Sequence, residues 1–142
     1  MKIGLIGAGR LGICLALLIE KAGYEVLASD NRVDYINSLQ KGIIDTAEPE
    51  VQQYLSNAKN IEFTTDNLRV ISECDLIFTL VATPSLADGS YDVSAVWKVI
   101  NDFKDIPILL EEKSLVVGCT TNPGDCNDCL LYTSDAADDQ AS

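Results

Sequence analysis

Gly7, Gly9 and Gly12 stand in the spacing G-x-G-x-x-G, and the next apolar run along the chain ends at Asp30. Glycines at that spacing can cradle a pyrophosphate. The first permits a tight turn out of a strand. The second has no Cβ, so the backbone can approach the phosphates, and the third lets the following helix pack closely on a sheet. The helix start then offers free N–H groups and the positive end of its dipole to the anion. Arg10 and Leu11 fall inside the same turn. A carboxylate at Asp30 can accept hydrogen bonds from the hydroxyls of an adenosine ribose and repels a 2′-phosphate. It therefore favours NAD over NADP, and the nearby Arg32 weakens that preference. Glycine spacing alone could also serve a bare turn; the surrounding strand, helix, strand and acid give it chemical weight.

Other chemistries are closed to this chain. It has no histidine, which excludes His-based triads, His metal sites and imidazole acid–base work. The five cysteines, Cys14, Cys74, Cys119, Cys126 and Cys129, are odd in number and suit free thiols better than a disulfide framework. Cys126 and Cys129 form one C-x-x-C, but no second pair completes a zinc site, so no metal is expected. The net charge of −12 argues against nucleic acid or an anionic membrane as partner. It does not oppose a dinucleotide, whose pyrophosphate backbone N–H groups can hold. No apolar run reaches the length of about eighteen residues needed to span a bilayer. The N-terminus reads as a strand rather than a signal peptide, so a cytoplasmic location is expected.

Positioning the glycine turn requires a sheet, and the pattern supplies one. The run Met1–Ile6 precedes the turn. Leu11, Leu15, Leu18 and Ala22 recur on one helical face, and Gly23 stops that helix. Residues 24–29 form the second strand. Val33, Ile36 and Leu39 mark a second helix up to Gly42, Glu48-Pro49 starts a short third one, and residues 61–64 alternate as a strand. Thr65 or Asp66 can cap the next helix. The run Asp75–Val81 reads as a strand buried on both faces. Asp92 can cap a helix carrying Val93, Val96, Trp97, Ile100 and Phe103, and Ser114–Val117 forms a last strand. Strands alternating with helices imply a doubly wound parallel sheet of Rossmann type. Right-handed crossovers favour the order 3-2-1-4-5. The loops Gly7–Gly12, Ala82–Ser90 and Cys119–Pro123 then meet at the carboxyl ends of the strands, where ligands of such sheets bind.

From Met1 to about Asp125 the chain resembles the NAD-binding domain of UDP-glucose and GDP-mannose 6-dehydrogenases. The resemblance rests on IGAGRLG, Asp30, the stretch from Gly42 to Glu48-Pro49, VATPSLADGSYDVSAV and LVVGCTTNPGD, in that order. It implies two successive oxidations of a sugar-nucleotide hydroxymethyl group to a carboxylate, with reduction of two NAD. The substrate would be a UDP- or GDP-sugar of the full-length parent, which could be a homodimer. By resemblance Leu11 lies in the pyrophosphate turn, Asp30 binds the adenosine ribose and Thr83 lies beside the cofactor. Thr120 matches a threonine near the nicotinamide and the reacting carbon, a candidate catalytic residue whose hydroxyl could position a water or the substrate oxygen. The chain also departs from the family pattern. A turn residue often Tyr is Arg10, a basic residue common in the second helix falls on Tyr35, with Arg32 as its nearby substitute, and a lysine before the last strand's end is Gly118. The family's nucleophilic cysteine, with its catalytic lysine and aspartate, belongs to a later domain that nothing here matches.

These readings divide the chain into a nucleotide domain, residues 1–128, and a tail, 129–142. The segment from Cys129 to Asp139 resembles the conceptual translation of a transposase adapter used in DNA sequencing. The tail is therefore expected to be non-native or disordered and to stand outside the fold. Two alternatives compete with the cofactor half of a sugar-nucleotide dehydrogenase. One is another Rossmann dehydrogenase, of hydroxyacid or 6-phosphogluconate type, against which the loop Ala82–Ser90 and TTNPG argue. The other is a regulatory nucleotide-sensing module that binds without chemistry, as in the control of potassium transport.

Overall fold

In the computed structural model, which describes residues 1–104 and 113–128, the first apolar run becomes β1 (Lys2–Ile6) and leads through the glycine turn into α1 (Arg10–Lys21). The chain returns through Gly23, at φ 104°, into β2 (Glu25–Ser29). Helices α2 (Val33–Gln40) and α3 (Val51–Asn57) precede β3 (Ile61–Thr64). Helix α3 begins at Val51 rather than at Glu48-Pro49, behind Glu50 in the left-handed region at φ 67°. Asp66 caps α4 (Asn67–Glu73) by accepting from the Leu68 N–H at 3.0 Å. After β4 (Leu76–Thr79), Asp92 accepts from the Ser94 N–H at 3.0 Å at the start of α5 (Ser94–Lys104). The last strand is β5 (Ser114–Val117).

The five strands are all parallel and lie in the order β3-β2-β1-β4-β5. The chain leaves β1 toward β3, crosses back to β4 and continues to β5. Right-handed connections therefore put α1, α2 and α3 on one face and α4 and α5 on the other. The core divides accordingly. Leu5, Ile13, Leu17, Ile36, Leu39 and Leu55 pack on the first face, and Ile6, Leu27, Ile71, Ile77, Val99 and Phe103 on the second.

Two expectations are corrected. The buried stripe of α1 is Gly12, Ile13, Ala16 and Leu17, whereas Leu11 and Leu18 are 64% and 55% exposed. The helix lies close to the sheet through its small residues, so a stripe traced through the leucines selects the wrong face. Strand β4 is shorter than 75–81 and is not buried equally on both faces. Ile77 and Thr79 are buried, but Leu76 and Phe78 on the α1 side are only half-buried. The crossovers place α4 and α5 on the opposite face, and β4 is left partly open beside Met1, Leu18 and Tyr24.

The expected tail, 129–142, and Cys129 of the C-x-x-C lie outside the described residues. Among the described residues no helix is long and apolar enough to cross a membrane.

Candidate cofactor site

The glycine turn is shaped by its own backbone. A Cβ on Gly7, at φ 103°, would stand 2.6 Å from the Leu80 carbonyl oxygen, and one on Gly12 would run into the carbonyl oxygen of Gly7. Gly9 differs. A Cβ there would meet nothing nearer than Arg32 Nη2 at 3.9 Å, so the protein's own packing does not require a glycine. The space beside Gly9 is thus left open to an approaching group. Gly9 is also the N-cap of α1, with no side-chain cap and no acid in the first turn. The first-turn N–H groups of the helix are thus left for an anion.

The turn opens on a cavity of about 490 Å³ whose wall includes Gly7, Gly9, Arg10, Asp30 and Arg32. Asp30 is 9% exposed, and its N–H donates to the Thr64 carbonyl at 3.1 Å. Arg32 donates from Nε to Oδ1 at 2.8 Å, from Nη2 to Oδ2 at 3.0 Å and from its backbone N–H to Oδ1 at 3.0 Å. Burial opposes the Asp30 charge, but these hydrogen bonds and the Arg32 cation outweigh it and hold the carboxyl below its ordinary value. The Arg32 guanidinium lies over the Tyr35 ring, 4.1 Å from its centroid, and the Tyr35 hydroxyl donates to the Ala8 carbonyl at 2.6 Å. Arg10 pairs with Glu48 at 3.1 Å across the outer side of the turn.

The remaining sequence candidates lie outside the cavity wall. Leu11 faces outward from the first turn of α1, Thr83 is half-buried in the loop after β4, and Thr120 is exposed beyond β5. The loops carrying the two threonines are joined by Asn122. Its Oδ1 accepts from the Tyr91 N–H at 2.8 Å, and its Nδ2 donates to the Tyr91 carbonyl at 2.9 Å. Asp125 accepts from the Asn122 backbone at 2.8 Å and from its amide at 2.9 Å. Cys119 donates from Sγ to the Thr79 carbonyl at 3.1 Å, and burial pushes its thiol pKa up. Leu80 sits beneath these loops, and its Cδ2 occupies the place a Cβ on Gly118 would take.

Sequence reading missed several wall and support residues. Asn67 and Lys98 line the cavity from α4 and α5. Asn67 accepts from the Ser29 hydroxyl at 2.7 Å, which ties the α4 start to the end of β2. Tyr35 and Asn122 were visible only as departures or as loop residues. No local spacing announces a side chain whose partner lies 27 or 31 residues away.

A parallel sheet of this order, a glycine turn opening a helix and an acid at the tip of β2 define a dinucleotide-binding domain of the dehydrogenase type. Residues 1–141 match the model of the UDP-glucose/GDP-mannose dehydrogenase family, NAD binding domain, and the chain belongs to that family. YtcA of Bacillus subtilis is 32% identical over 124 residues, covering 87% of this chain and 28% of that protein. The UDP-glucose 6-dehydrogenase of Rickettsia bellii is 28% identical over 136 residues, covering 93% and 31%. Among solved structures, a ternary complex of GDP-mannose dehydrogenase from Pseudomonas aeruginosa superposes with a TM-score of 0.86 at 24% identity, covering 96% of this chain and 33% of that one. This chain thus spans about a third of the length of such relatives. NAD is the cofactor of the domain. The open Gly9, the uncapped helix start and the Asp30 carboxylate are a donor and acceptor set that fits it.

Proposed function

We propose that this chain is the cofactor-binding part of a sugar-nucleotide 6-dehydrogenase, which oxidises the hydroxymethyl group of a UDP- or GDP-sugar to a carboxylate in two NAD-dependent steps. The single observation that carries the reading is the glycine turn open at Gly9 beside the buried Asp30. When bound, NAD supplies a hydride acceptor. The chain's own residues do the rest of what this domain contributes. The first turn of α1 binds the pyrophosphate through N–H groups, Arg10 and Arg32 add positive charge, and Asp30 accepts from the adenosine ribose. Leu11 covers the turn, Thr83 borders the cofactor, and Thr120 stands at the strand end nearest the reacting carbon, orienting a water or the substrate oxygen. Residues 1–128 act as the domain, and the segment 129–142 is non-native. We place the protein in the cytoplasm, with the parent enzyme a homodimer.

On this reading the chain by itself binds NAD without turnover, because it holds no segment like the one that carries the family's nucleophilic cysteine, lysine and aspartate. Calorimetry should show NAD binding more tightly than NADP. Oxidation of UDP-glucose or GDP-mannose by this chain alone, or the absence of NAD binding, would overturn the proposal.

A further inference from the structure

The glycine turn is held from α2 by Tyr35, which is absent from the wall of the cofactor cavity. Its hydroxyl donates to the carbonyl of Ala8, the fully buried residue between Gly7 and Gly9. A trans peptide is planar, with its C=O and N–H antiparallel. Fixing the Ala8 carbonyl toward Tyr35 therefore fixes the Gly9 N–H in the opposite direction. Gly9, Arg10 and Arg32 line both the cofactor cavity and an adjoining hollow of about 250 Å³, and Tyr35 lines only the second, with Ile13, Ile44 and Thr46. The same ring is the shelf for the Arg32 guanidinium, which grips both oxygens of Asp30. One side chain thus touches the phosphate turn and, through Arg32, the ribose acid.

We infer that Tyr35 is a positioning residue for the adenosine-pyrophosphate half of the cofactor: its hydroxyl orients the Ala8–Gly9 peptide toward the phosphates, and its ring holds Arg32 against Asp30. The inference rests on the NAD-binding reading above. The two parts of the side chain have separable duties. The hydroxyl serves the pyrophosphate, and the ring serves the ribose acid. Burial raises the phenol pKa, which keeps the hydroxyl a proton donor across the neutral range.

The test compares the full chain with its Tyr35→Phe and Tyr35→Leu variants, titrated with NAD and with adenosine, which lacks the phosphates. Tyr35→Phe is expected to weaken NAD about five-fold, the effect of one hydrogen bond, with adenosine binding held and a modest fall in melting temperature from the Ala8 carbonyl left unpaired. Its ligand-free Gly9 amide resonance should move while β-sheet amides stay in place. Tyr35→Leu should weaken adenosine as well, because Arg32 loses its shelf. Unchanged NAD affinity and an unmoved Gly9 amide in Tyr35→Phe would overturn the proposal. So would parallel losses of NAD, adenosine and melting temperature in that variant, which would mark a general structural role. A wild-type chain that does not bind NAD would sink the cofactor reading itself, a result distinct from an unaffected variant.

Discussion

Asp30 and Arg32 hold one another with no ligand present, so on the proposed reading a ribose would share the carboxylate with a guanidinium that is itself half-exposed. Asp30→Ala should cost NAD about 1.5–3 kcal/mol for each charged hydrogen bond lost. NADP should lose less, because its 2′-phosphate no longer meets an acid and can face Arg32. Equal losses for both, measured by calorimetry, would remove Asp30 from cofactor choice. The same pair makes stability depend on acid. The folded Asp30 pKa lies below that of a free carboxyl, so its contribution is complete above the unfolded value and disappears as pH falls through the lowered folded value. Cysteine chemistry is graded as well. Cys74 is fully buried, and burial pushes its pKa up to about 11, while Cys126 is exposed. Iodoacetamide at neutral pH should label Cys126 well before Cys74, read by peptide mass; the reverse order would contradict the burial described. Gly7, Gly12 and Asp30 were legible in the sequence because each acts through backbone geometry or position within one local motif. Tyr35, Asn67 and Lys98 were not, because their roles depend on which elements the sheet brings together.

Among elements, α1 shows where periodicity misleads. Its leucines at positions 11 and 18 form an apolar stripe, yet the helix is seated through Gly12, Ile13, Ala16 and Leu17. Size and hydrophobicity pointed one way, and the need for a close helix–sheet approach beside the phosphate turn decided the other. Caps were better signals. Asp66 and Asp92 both accept from the N–H two residues on, as a local rule can foresee. Strand β4 holds a different kind of residue. Thr79 is 1% exposed, and among the described residues its hydroxyl is the one buried side-chain polar atom without a hydrogen-bond partner. A buried unpaired hydroxyl costs about 1–3 kcal/mol. Thr79→Val keeps the β-branched shape, so it should raise the melting temperature or leave it unchanged. A clear fall in thermal unfolding experiments would show that the hydroxyl has a partner in solution.

At the scale of the whole molecule, strand order was legible because alternating strands and helices with right-handed crossovers leave few topologies. The unequal covering of β4 was not, since it follows from which face each crossover takes rather than from the strand's own residues. Leu80 is the point where these elements meet. Its backbone crowds Gly7, and its side chain fills the place where Gly118 has no Cβ. Gly118→Ala should therefore destabilise the domain only modestly, by about 1 kcal/mol or less, because the atom it displaces is the end of a flexible, half-buried side chain. Adding Leu80→Val should recover part of that loss, giving a double-mutant cycle that is not additive. Strict additivity would mean that the two positions do not share the space. Sharing it also couples what the two positions can hold. A side chain at position 118 requires the end of Leu80 to swing aside or a smaller residue at position 80, so the two sites are expected to change as a linked pair.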